Sequence, residues 1–174
     1  MKASRALLLI ILLAIVAIAA WWLFSRHARS PVASQISIYY TKMDGNTEGT
    51  WNVSMRPQQP GESAREHLHN AVLYAAVQAV VGPPSEIDAI HFPPGTHVRS
   101  VHVAGSTALV DLSKQVDNGP GGTFAENGEF KALVYTLTAL PGISAVQVTV
   151  DGQRLETLPG GHLALNEPLR RSDW

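Results

Sequence analysis

Apolar and polar positions follow two rhythms along most of this chain, after an opening stretch that has no polar face. Residues 6–24 are nineteen positions without a charge, A-L-L-L-I-I-L-L-A-I-V-A-I-A-A-W-W-L-F. As a helix rising about 1.5 Å per residue, the run covers a bilayer core of roughly 30 Å. Trp21 and Trp22 stand at the end where indoles favour headgroups, with Lys2 and Arg5 before the run and Arg26 and Arg29 after it. The expected element is a transmembrane anchor at residues 6–24. A cleavable signal peptide is the competing reading: Ala17 and Ala19 offer a small-x-small site, but such peptides have an apolar core of about 7–15 residues. The basic amino terminus favours the cytoplasmic side, which places the rest of the chain outside. Residues 25–34, polar and containing Pro31, read as a linker to a domain at residues 35–174.

Beyond the linker, period two and period 3.6 take turns. I-S-I-Y-Y-T at 36–41 reads as a strand, and Trp51, Val53 and Met55 alternate as a second one after a loop marked by Asp44-Gly45 and Glu48-Gly49. Ser63-x-x-Glu66 is a capping box opening a helix over 63–81, with Leu68 and Val72 on its apolar face and Gly82-Pro83-Pro84 ending it. A proline-rich loop follows. Strands at 98–103 and 107–112 form a hairpin about Gly105-Ser106. Thr123-x-x-Glu126 is a second capping box, opening a helix over 124–140 whose stripe includes Phe130, Leu133, Val134 and Leu137. Gly128 weakens that helix by up to about 1 kcal/mol relative to alanine. Val146, Val148 and Val150 alternate before Asp151-Gly152, a strong hairpin signal that predicts a last strand at 154–158. The expected fold class is α+β. It comprises a single mixed or antiparallel sheet with two main helices packed on one face, preceded by the N-terminal transmembrane helix. Leu68, Val72, Leu133 and Leu137 are the expected core residues. Tyr39, Tyr40, Trp51 and Phe92 fit either a core or an exposed patch.

Charge narrows the classes of function. From residue 31 onward there are nine Lys and Arg against fourteen Asp and Glu, a net of −5. An acidic domain without a basic stripe is a poor partner for nucleic acid, and anionic headgroups repel it, so membrane attachment falls to the N-terminal helix. The chain has no cysteine, which removes disulfides, thiolate metal sites, a cysteine nucleophile and a lipid-modified cysteine.

Candidate chemistry is thin. His67 and His69 diverge by about 200° on a helix, and His97 and His102 face opposite sides of a strand. Neither pair makes a metal site, and surface histidines are expected. Asp111 and Ser113 lack a nucleophile elbow; Ser113 reads as a loop start and Asp111 as a partner for backbone. Gly119-Pro120-Gly121-Gly122 lacks the G-K-[ST] of a phosphate loop, so Thr123 reads as a plain helix cap. No catalytic, cofactor-binding or metal-ligating residue is assigned, and no cofactor is expected.

Several segments in order resemble the GerMN domain family, the GerM-like proteins of sporulation and spore germination. They are I-Y-Y at 38–40, G-P-P at 82–84, P-P-G-T at 93–96, S-V-H-V at 100–103, and A-L-V-D-L-S at 108–113. A-L-V-Y-T-L at 132–137, P-G-I-S-A-V-Q-V-T-V-D-G at 141–152 and N-E-P-L-R-R at 166–171 complete the set. The resemblance implies a compact α/β domain related to ring-building modules of secretion-like assemblies. It also implies extracytoplasmic placement and a structural or interaction role, with no catalytic residue to carry over. The chain departs from the pattern in having one copy of the domain and no lipoprotein cysteine. The leading expectation is a membrane-anchored interaction or scaffold module of the cell envelope, whose partners are envelope proteins, with self-association included. The alternatives are a binding protein for a cell-wall or small-molecule ligand and, third, a wall hydrolase.

Overall fold

The alternation at Ile36 and Ile38 folds as read. A computed structural model describes residues 35–119, 122–159 and 161–174, and in it β1 (Gln35–Thr41) pairs antiparallel with β2 (Glu48–Ser54) in unbroken register. The anchor and linker expected at residues 6–24 and 25–34 lie outside the described residues. Among the described residues no helix is long and apolar enough to cross a membrane. Glu48 and Gly49, expected in a loop, belong to β2. Gly49 sits where the Tyr40 ring fills the space a Cβ would need.

The first capping box forms in full. Ser63 Oγ accepts from the Glu66 N–H at 3.2 Å, and Glu66 Oε2 accepts from the Ser63 N–H at 2.8 Å. It opens α1 (Ala64–Val81), which ends at Gly82 with φ +86°. The hairpin of β3 (Val98–Ala104) and β4 (Thr107–Leu112) follows, then α2 (Thr123–Thr138) and β5 (Ala145–Val150). β5 lies parallel to β4, as a crossover through a helix permits.

Ala108, Val110 and Leu112 of β4 and Val146, Val148 and Val150 of β5 share one core with both helices. α1 packs against β3 and β1, and α2 against β1 and β5. Val72, Leu133 and Leu137 are fully buried there, and Leu68 is partly buried at its margin. Phe92 is core and meets Phe130 edge-on at 5.6 Å. Tyr39, Tyr40 and Trp51 are half-buried.

Two expectations need correction. The strands form two sheets, not one: β1-β2, and β3-β4-β5. The reason is α2, which occupies the outer edge of β1. The Tyr39 N–H donates to Thr136 Oγ1 and Thr41 Oγ1 donates to the Gly128 carbonyl, each at 2.9 Å. This also explains Gly128, whose missing side chain admits Ile90. The second correction concerns 154–158. Asp151 and Gly152 do take positive φ, +49° and +78°, and the turn closes between Val150 and Gln153. No strand follows, because Leu169 already bridges the outer edge of β5 at Val146, with bonds of 2.7 and 2.9 Å. The closing segment is then clasped to α2: the Arg171 guanidinium lies 4.7 Å from the Tyr135 ring centre and 5.1 Å from that of Tyr39.

Candidate functional site

The second capping box does not form, and its acid builds the most unusual polar feature of the described residues. Thr123 is the first residue of α2, and Gly122, at φ +99°, caps it without a side-chain bond. Glu126 turns inward instead and is only 4% exposed. Its Oε2 accepts from the His162 N–H at 2.8 Å and, at a long 3.5 Å, from that of Leu163. Gly161 packs so tightly on this carboxylate that a Cβ there would overlap it.

Glu129, one turn on, is 5% exposed and lines the same crevice. Burial pushes its carboxyl up to about 8, and the neighbouring charge of Glu126 adds to the effect. At neutral pH the pair therefore carries a proton on Glu129. Asp117 completes the acidic lining. Among the described residues, Asp117 Oδ1 and Glu126 Oε1 have no hydrogen-bond partner. The crevice has free space of about 20 Å³. That accommodates one water molecule, and organic ligands ordinarily occupy roughly 300–1,000 Å³. A carboxyl poised near 8 suits general acid work in principle. Here its neighbour is engaged by backbone, and the space beside both takes a water but not a sugar ring.

The histidines are placed less uniformly than expected. His97 and His102 are exposed and His69 is half-buried, but His67 is 2% exposed, which corrects the expectation of a solvated ring. Its Nδ1 lies 3.2 Å from Glu62 Oε2. Glu62 also accepts two bonds from Arg56, at 2.7 and 2.9 Å, one from the Gln59 N–H and one from Asn70. The Arg56 bonds, first among these causes, hold the Glu62 carboxyl well below the usual carboxylate range. Among the described residues no group of three or more potential ligands is arranged for a metal ion.

Asp111 accepts from Arg99, Thr149 and the Gly152 N–H at 2.7–2.9 Å, fixing the turn after β5, while Ser113 Oγ accepts from the His97 N–H. Both serve the fold, as the sequence suggested. Pro120 and Gly121 of the glycine-rich stretch lie outside the described residues. The buried acids were missed, although a signal existed. Glu126, Phe130, Leu133 and Leu137 follow one helical stripe, so the stripe that identified the core also points Glu126 into it.

Four solved chains match this fold. The tandem GerMN domains of the sporulation protein GerM from Bacillus subtilis superpose with a TM-score of 0.61 at 19% identity, over 82% of this chain and 48% of that one. This chain therefore spans about half of that tandem structure. The first GerMN domain of the same protein gives 0.54 at 20% identity, over 81% of this chain and 100% of that one. A putative lipoprotein from Clostridium perfringens gives 0.50 at 22% identity, over 80% and 88%. No protein of curated function matches. The sequence profile of the family Germane, described as sporulation and spore germination, matches residues 37–156, which run from within β1 to just past the turn after β5. This chain belongs to the Germane family, the GerMN domains of the GerM-like proteins.

Proposed function

We propose that this protein is a membrane-anchored, extracytoplasmic interaction or scaffold module of the bacterial cell envelope, acting in sporulation or spore germination. The observation that carries the reading is the Germane match over residues 37–156, joined to a fold shared with the GerMN domains of a sporulation protein. The side-chain chemistry supports contact over catalysis. Asp111, Glu62 and Glu126 each bind backbone N–H groups that hold turns and loops in place. The apolar run at residues 6–24 supplies the anchor, and a short tether raises the local concentration of the domain for other envelope proteins.

The test has two parts. Carbonate extraction of membranes should leave the full chain in the pellet; a soluble form beginning near Ala20 would replace the anchor with a cleaved signal. Charge reversal at exposed positions such as Arg65 and Glu86 should abolish partner capture in intact cells with thermal stability unchanged. A hydrolytic turnover lost on replacing one acid in a folded domain would overturn the contact reading.

A further inference from the structure

The two sheets have four outer strand edges, and three are closed or guarded. β1 turns its edge to α2, β5 is bridged by Leu169, and β3 has a bulge at Arg99 that sets a charge beside its ladder. The outer edge of β2 differs. Its seven residues run without a bulge, and among the described residues no backbone hydrogen bond reaches that edge. Native edges are usually blunted by lysine, proline, a bulge or an inward charge. β2 has none of these, and Glu48, its one charge, pairs with Lys131.

The outward-facing groups follow from the pairing. The Tyr39 N–H bonds Thr136 and the Thr41 carbonyl accepts from Ile90, so the odd-numbered residues of β1 face away from β2. Antiparallel ladders alternate bonded and non-bonded pairs. The partners of those residues, Glu48, Thr50, Asn52 and Ser54, therefore turn their N–H and C=O groups outward.

We propose that a second copy of this chain adds to this edge, β2 against β2, antiparallel about a two-fold axis at Trp51. This deepens the contact reading above and rests on it. In that register Thr50 lies opposite Asn52 of the second copy and Glu48 opposite Ser54, so all four outward residues enter bonded pairs. No like charges oppose each other, because Glu48 faces a serine. Trp51 meets its own counterpart in a non-bonded pair, where side chains approach most closely and aromatic pairs add stability. Such reciprocity is the mark of an isologous interface. The product is a four-stranded sheet, β1-β2-β2-β1, in place of two ribbons of two strands, which are marginal alone.

The absence of native cysteine makes the register testable in the full-length chain in detergent. Thr50→Cys and Asn52→Cys chains are mixed and oxidised with copper phenanthroline. A bonded cross-strand pair has Cα atoms about 5.5 Å apart, within disulfide reach, whereas two copies of the same variant place their cysteines on diagonals of about 7–8 Å. The mixed disulfide should dominate both self-disulfides, and a His102→Cys chain on β3 should cross-link with neither. Asn52→Pro removes an outward N–H and keeps the backbone ladder to β1, although it also loses the bond that the Asn52 side chain accepts from Ser37 Oγ. It should abolish the dimer in sedimentation velocity, whereas Asn52→Ala, which loses the same side-chain bond and keeps the N–H, should still dimerise. Equal yields of all disulfides, or a monomer at every concentration without cross-linking, would overturn the pairing. In that case, partner capture still sensitive to charge reversal would leave the contact reading standing. A hydrolytic turnover would overturn that reading and the pairing that rests on it.

Discussion

α1 and α2 begin with the same signature, a hydroxyl residue followed three positions later by glutamate, and use it in opposite ways. Ser63 and Glu66 close on each other at the surface, satisfying two free N–H groups of their own helix. That bonding, led by Ser63, lowers the Glu66 carboxyl below its ordinary value. Thr123 lies inside its helix, and Glu126 serves backbone 36 and 37 residues away. The difference is one of phase. Glu126 continues the stripe of Phe130, Leu133 and Leu137 and must enter the core, where a carboxylate needs donors. A loop that brings two N–H groups meets that need better than a single threonine. The motif specifies its local structure only where the helix leaves its acid on the outside.

Three substitutions test this contrast. Glu126→Ala leaves the part-buried N–H groups of 162 and 163 without this acceptor and removes a buried side chain from under the loop; it should cost about 2–4 kcal/mol in urea unfolding. A cost no greater than that of Ser63→Ala would erase the distinction between the two ends. Glu129→Gln addresses the proton held beside Glu126. The folded chain keeps that proton to about pH 8 and the unfolded chain only to about 4.5. Between those values the folded state binds more protons, so stability falls as pH rises through that window. The contribution is fully present below 4.5 and lost above 8. The neutral glutamine should flatten the pH dependence and exceed the parent by roughly 1–3 kcal/mol at alkaline pH. Thermal melts from about pH 5 to 9 decide this; parallel curves for the two proteins would mean that Glu129 is not buried as charge. Ser63→Ala, the smallest effect, should cost about 1 kcal/mol; it weakens the pH dependence on the acid side, where Glu66 titrates, and leaves the slope between about pH 5 and 8 unchanged.

Sequence reasoning reached features whose causes are local. The Ser63 box, the Gly82 terminus, the 98–112 hairpin and the Asp151-Gly152 turn each depend on neighbours a few residues apart, and all four formed. It missed features decided by distant contacts. The strand at 154–158 lost its edge to Leu169, and the single sheet was divided by α2 lying along β1. Gly128 looked like a weakness of the helix because the ring of contacts that needs its small size, Ile90 and Thr41, comes from other parts of the chain. The acidic crevice combines both cases: its helical phase was legible, and the loop that receives Glu126 was not.

The bond from Tyr39 to Thr136 also dictates an order of events during synthesis. A ribosome delivers β1 and β2 first, yet the helix that covers β1 is made nearly a hundred residues later. Until then the Tyr39 stretch of the β1 edge is bare, although Ile90 can already reach the Thr41 carbonyl, and the ribbon must avoid wrong neighbours while β3, β4 and α2 are still being made. Closing so long a loop is slow, and exposed edges are where nascent chains aggregate. The polar residues Thr50, Asn52 and Ser54 on the exposed face of β2 keep the waiting ribbon wettable until α2 is made and Thr136 takes the Tyr39 N–H.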